Sequence, residues 1–202
     1  MRKTVIIGGI ALASALLLAS CSSNDSMSGM DHSSSAPAPS SSSQAAGDHN
    51  ADDVTFAQQM VPHHSQALDM AKLVPSRSTN PKVVDLASRI AKAQDPEIQQ
   101  MQGWLTSWGA GMSSMPGMTH ESMPGMSGSM PGDDIKKLEA AKGAEFDKMW
   151  LDMMIKHHQG AVDMAETELS KGSNADAKAL AQKIVDAQQA EITEMQGLLS
   201  QS

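Results

Sequence analysis

The chain has no tyrosine, two phenylalanines and three tryptophans among its 202 residues. β-Sandwiches and barrels draw heavily on aromatic and β-branched side chains, so an all-β architecture is excluded. A single cysteine excludes both an intramolecular disulfide framework and a zinc site built from several thiolates. Positive charge is also scarce: 15 Lys and Arg stand against 23 Asp and Glu, a formal net charge of −8. No basic stripe runs along any segment, which excludes nucleic acid as a partner. What the chain has in excess is thioether and imidazole, with 17 Met and 7 His.

The first residues read as an address. Met1-Arg2-Lys3 is a positive head, and Val5 to Leu18 is an apolar run too short for an ordinary membrane span. Leu18-Ala19-Ser20-Cys21 resembles a bacterial lipobox, and the only cysteine stands where lipidation would use it. The reading is a lipoprotein signal peptide over 1–20 and a lipid anchor at Cys21. It puts the protein outside the cytoplasm, on a cell-membrane surface. Residues 21–50 are rich in Ser, Ala, Pro and Gly with almost no large apolar groups. Such a segment cannot offset its chain entropy by burial and is expected to be a disordered stalk.

The remaining chain, 51–202, overlays itself without a gap when shifted by 94 residues. Met60-Val61-Pro62-His63-His64 lies on Met154-Ile155-Lys156-His157-His158, and Met101-Gln102-Gly103 lies on Met195-Gln196-Gly197. Internal duplication of this kind is read before any local feature. Copy one spans 52–108, a Met-rich loop 109–132, and copy two 133–200. Each copy predicts two helices. Asp52 or Asp53 opens the first, which runs to about Val74, with Pro75 in the turn. Asn80-Pro81 supplies a cap and a first-turn proline for the second, which ends near Trp108-Gly109. In copy two, Asp133 or Asp134 opens one long helix ending at Lys171-Gly172, and Asn174 caps the last, to about Leu199. Pro62 and Pro96 fall inside helices and are expected to kink them, Pro62 re-aiming the histidines that follow. Apolar residues at helical spacing then predict an all-α fold, an antiparallel four-helix bundle made from a duplicated helical hairpin.

At about 100° per residue, Met60, His63, His64, Ala67, Met70 and Ala71 share an arc of about 120°. Met154, His157, His158, Ala161, Met164 and Ala165 do the same. Met101 and Met195 lie on the core-facing stripes of the partner helices. Gln94 and Gln188 lie near the centre of those stripes and Glu97 and Glu191 on their edge, where they can orient histidine rings. Thioether sulfur is soft and needs no deprotonation, so it selects Cu(I) over hard ions, with Ag(I) as a surrogate; imidazole suits copper in either oxidation state. Thiolates would be lost to oxidation outside the cytoplasm, so an extracytoplasmic soft-metal binder is expected to use Met and His. Between the copies, Met112, Met115, Met118, Met123, Met126 and Met130 stand in a Pro/Gly/Ser background with His120 among them. Such a linker has no packing reason to use methionine, and Met-x-x-Met spacing lets two or three sulfurs close on one soft ion. Core filling competes with ligation as a reading of the helical methionines. Trp104, Trp108 and Trp150 read as packing.

The motif Met-x-x-His-His-x-x-Ala-x-x-Met-Ala stands at 60–71 and again at 154–165. On these two copies the chain resembles the bacterial family called domain of unknown function 305, over roughly residues 50–200. The resemblance implies a ferritin-like bundle and a periplasmic type of copper binding. It carries metal-ligand roles to Met60, His63, His64, Met70, Met154, His157, His158 and Met164. The Glu-x-x-His pairs of di-iron carboxylate bundles are missing, so ferritin chemistry is not implied. The function to expect is sequestration or hand-on of Cu(I), without catalysis. A copper-transport or copper-oxidising envelope protein is the partner class. A helical interaction module at the cell envelope is the competing reading.

Overall fold

The computed structural model describes residues 48–111 and 127–201. They form five helices: α1 (Ala51–Arg77), α2 (Pro81–Ser107), α3 (Gly132–Ala140), α4 (Gly143–Lys171) and α5 (Ala175–Leu199). No strand occurs among the described residues. Asn80 and Asn174 cap α2 and α5 with their side chains, as their positions predict. Three expectations are corrected. The first cap is Asn50, not an aspartate: its side chain accepts from the N–H groups of Asp52 and Asp53, and Asp53 returns a bond to the Asn50 N–H. That reciprocal box puts Asp53 in the first turn. Next, α1 runs through Pro75 to Arg77, because a proline inside a helix forfeits one bond without stopping the others. Finally, the long helix of copy two is two helices. Ala141 and Lys142 are extended and Gly143 has φ +59°, so the chain turns there before α4 begins. Asp133 and Asp134 sit in the first turn of α3, behind Pro131 at its cap.

Side-chain pairs set the register. His64 meets Glu97 between α1 and α2, and His158 meets Glu191 between α4 and α5. Trp150 Nε1 donates to the Met70 carbonyl at 3.1 Å, and the His63 and His157 rings meet at a tilt of 34°, so α1 and α4 are antiparallel. Lys82 with Gln201, Arg89 with Glu194 and Lys183 with Glu97 make α2 and α5 antiparallel too. Helices α1 and α5 therefore point one way, α2 and α4 the other. The connection from α2 to α4 must travel back along the bundle. Its roots show this: Gln58 donates to the Ala110 carbonyl, whereas Arg77 donates to the Glu139 carbonyl. Those anchors are 19 residues apart on α1, about 29 Å at 1.5 Å per residue.

The buried apolar residues fall into two clusters, and all four long helices contribute to both. On α1, Phe56 to Val61 belong to one cluster and Ala67 to Val74 to the other. On α4, Phe146 to Ile155 belong to that second cluster and Ala161 to Ala165 to the first. Between the clusters every long helix carries buried polar residues: His63 and His64, Gln94 and Glu97, His157 and His158, and Gln188. One polar layer thus crosses the middle of the bundle. At the end near Asn50, Asp53 binds the backbone N–H groups of Ser173 and Asn174, tying α1 to the α4–α5 turn. Burial opposes ionisation of Asp53, but these N–H groups and that of Asn50 prevail and hold it near pKa 2. Burial and the neighbouring Asp53 push the Glu168 carboxyl up to about 8.

Candidate metal centre

The histidine layer is built by the duplicated helical stripe. His63, His64, His157 and His158 are each at most 1% exposed. The His63 and His157 rings lie 3.6 Å apart between centroids, across the α1–α4 seam. His64 Nε2 is 3.0 Å from Glu97 Oε2, and His158 Nε2 is 2.8 Å from Glu191 Oε2. A carboxylate accepts, so each of these rings carries its proton on Nε2 and bares a lone pair at Nδ1. His63 Nε2 donates to the Ser127 carbonyl at 3.1 Å, with the same result. The Nδ1 atoms of His63, His64 and His158, and both ring nitrogens of His157, are buried without a hydrogen-bond partner. Buried polar atoms ordinarily find partners, and a run of bare imidazole nitrogens in one layer marks a place for an electrophile.

Burial favours the neutral form of three of these rings. Burial pushes His63 down to about 3, reinforced by its neighbours His64 and His158. Burial lowers His64 and His157 as well, with Glu97 opposing it at His64. Glu97 is held below the usual carboxylate range; burial opposes this, but His64 and Lys183 outweigh it. At His63, His64 and His157 the neutral ring with its free lone pair is thereby favoured.

Sulfur flanks the layer on both sides. Met60 stands four residues before His64 on α1, and Met101 four after Glu97 on α2, so they share one level of an antiparallel pair. Both belong to the first apolar cluster. Met154 and Met195 repeat this level on α4 and α5, in the other cluster. All four are fully buried. Met70 and Met164 are also buried but lie six residues beyond the nearer histidine, about 9 Å of helix rise, inside the clusters. Gln94 and Gln188 are buried in the layer, with both polar atoms of Gln94 and Oε1 of Gln188 unpartnered. Among the described residues, no three His, Cys, Asp or Glu side chains form a ready metal cage. A hard cation needing several oxygen ligands is poorly served here. An ion satisfied by a few imidazole and thioether donors fits the atoms present.

Sequence reasoning missed the segment that lies across this layer. Residues 127–130, the end of the Met-rich loop, run over the α1–α4 seam. Ser127 donates from Oγ to Asp163, and Gln66 clamps the Met130 backbone through both its amide atoms, at 2.8 and 3.1 Å. The Met130 side chain packs on the apolar core, so it acts as an anchor. Cys21, Met112, Met115, Met118, His120, Met123 and Met126 lie outside the described residues. At the far end, His49 stacks on Trp108, which stacks on Trp104.

The model for DUF305, a domain of unknown function, matches residues 53–199. The DUF305 protein of Streptomyces coelicolor is 34% identical, with a TM-score of 0.68 over 74% of this chain and 91% of that one. A DUF305 fragment from Deinococcus radiodurans is 32% identical, with a TM-score of 0.67 over 76% and 98%. CopM in its Cu(II)-bound form is 31% identical, with a TM-score of 0.64 over 74% and 96%; CopM also has Cu(I)-bound, Ag-bound and apo structures. An uncharacterized protein of Acanthamoeba polyphaga mimivirus is 37% identical over 54 residues, 36% of its own length. With both His-His motifs inside the matched span, the chain belongs to the DUF305 family.

Proposed function

We propose that the protein is an extracytoplasmic, lipid-anchored copper-binding protein that sequesters Cu(I) or hands it on. The observation that carries the reading is the set of bare Nδ1 atoms in the buried layer, oriented by Glu97, Glu191 and Ser127. His63, His64, His157 and His158 would hold the ion with Met60, Met101, Met154 and Met195. The copper-bound and silver-bound forms of CopM, a structure of the same fold, support this choice of metal. Met112, Met115, Met118, His120, Met123 and Met126 would capture further ions. Cys21 would tether the mature chain to the membrane.

An anaerobic Cu(I) competition titration on the mature chain from Ser22 tests the reading, beside two variants. One carries His→Gln at all four layer positions. The other carries Met→Ser at the five loop methionines from Met112 to Met126 and keeps the loop's length. Tight binding that survives the loop changes and collapses in the histidine variant, with helix content retained, is the expected result. Binding that follows the loop alone would reduce the layer to packing. No Cu(I) or Ag(I) binding at all would overturn the reading in favour of an interaction module. Lipidation is tested separately: the mature mass should exceed that of the polypeptide from Cys21 by acyl groups, and Cys21→Ala should abolish the excess.

A further inference from the structure

The α1–α4 seam is closed by backbone at the level of the histidines. Gly160, on α4 three residues after His157, is the position where a side chain cannot stand. A Cβ there would overlap the Ser127 carbonyl and lie 2.5 Å from the Gly128 Cα. Gly128 has φ +75°, and a Cβ on it would come within 2.8 Å of the Gly160 Cα and the Lys156 carbonyl. Two glycines thus let two backbones touch. The repeat mate of Gly160 is Gln66, whose amide grips both polar atoms of the Met130 backbone. The duplicated position has therefore split into two tasks on either side of one strap: α4 makes room for it and α1 holds it. The strap's Ser127 carbonyl lands on His63 Nε2, and Ser127 Oγ lands on Asp163.

We propose that residues 127–130 are a strap that closes the histidine layer, with Gly160 and Gln66 as its positioning residues, and that its release is the step admitting the soft ion. The inference rests on the copper-binding reading for the identity of the ion, but not for the closure. Release would break four hydrogen bonds, one to His63, one to Asp163 and two to Gln66, and lift the Met130 side chain off the core without disturbing a helix. It would free the His63 Nε2–H from its carbonyl and open the adjoining His63–His157 ring pair to solvent.

The test uses the mature chain with Gly160→Ala and, separately, Gln66→Ala. Alanine is the better helix former, so Gly160→Ala expels the strap without weakening α4. Three readouts are taken. The first is hydrogen exchange of the Met130 amide, which Gln66 Oε1 protects; it should speed up by about tenfold or more in both variants. The second is acylation of the layer histidines by diethylpyrocarbonate, read residue by residue with the exposed His49 as internal reference. His63 and His157 should react several-fold faster in both variants, while His49 stays constant. The third is the stopped-flow rate of Ag(I) uptake, expected to rise in both variants. Faster Met130 exchange with unchanged His63 and His157 acylation would overturn the strap as a closure. Faster acylation with an unchanged Ag(I) rate would overturn strap release as the admitting step. Faster acylation with no Ag(I) binding in any protein would leave the closure standing and overturn the metal reading instead.

Discussion

Glu97 and Glu191 are repeat mates, and the structure makes them unequal. Glu97 binds His64 through one oxygen and Lys183 through the other, and its side chain is 7% exposed. Glu191 binds His158, with its side chain 15% exposed. Both fix the proton on Nε2, and removing such a partner typically costs 10–100-fold in metal affinity. Glu97→Gln and Glu191→Gln are each expected to weaken Ag(I) binding by about tenfold or more with helix content unchanged, read by competition titration. Undiminished affinity would make the carboxylates structural. Glu168 makes a prediction about pH. Its carboxyl stays protonated in the folded chain up to about 8, whereas the unfolded chain releases that proton near the ordinary glutamate value of 4.5. The unfolded state then binds fewer protons across that window, so stability falls as pH rises and the contribution is lost on passing through 8. The urea midpoint of the metal-free protein should decline between about pH 5 and 8. Glu168→Gln, a neutral mimic of the protonated acid, should flatten that decline; an equal slope in both proteins would remove Glu168 as its source.

Among the elements, the helix ends that sequence locates correctly are those with a local signal: Asn80 before Pro81, Asn174 after Lys171-Gly172. Asn50 was passed over because Asp52 and Asp53 are equally plausible capping residues; only the direction of the bonds decides. The break before Gly143 is masked in the sequence because its neighbours continue a helical pattern, and the glycine within that pattern is its one local signal. Asn50 also donates from Nδ2 to the Lys171 carbonyl, joining α1 to the end of α4. Loss of a capping side chain typically costs ~1 kcal/mol, so Asn50→Ala should lower unfolding free energy by about 1–2 kcal/mol in a denaturant titration. No change would mean that Asp53 alone holds this end. The connection from α2 to α4 limits what can be cut. Excising 110–132 would leave only residues 133–140 of α3, about 12 Å of helix, to cover a path of about 29 Å. Substitution, not deletion, is therefore the way to probe the loop methionines.

For the molecule as a whole, the stripe of His and Met was legible because it lies on single helices at fixed spacing. The division of the core into two apolar clusters around one polar layer was not, since it depends on the register between four helices. The strap was hidden for a similar reason: its anchors, Gln66 and Gly160, break the repeat, and their difference acquires meaning only when 127–130 is placed between them. Each methionine pair flanking the layer comes from one hairpin, whereas the His63–His157 ring pair takes one ring from each. Neither hairpin covers its own stripe. The fragment 48–111 made alone should therefore show little helix by circular dichroism, and a cooperative melt from it would contradict a shared core.

The two hairpins meet as two subunits of a symmetric dimer would, His63 against His157. Separate subunits, however, part on dilution, because association depends on concentration. Here the long crossover makes the encounter intramolecular and supplies a fixed effective concentration. Unfolding midpoints should then be identical at micromolar and nanomolar protein. A protein scattered singly over a surface would keep its interior assembled with no neighbour of its own kind in reach.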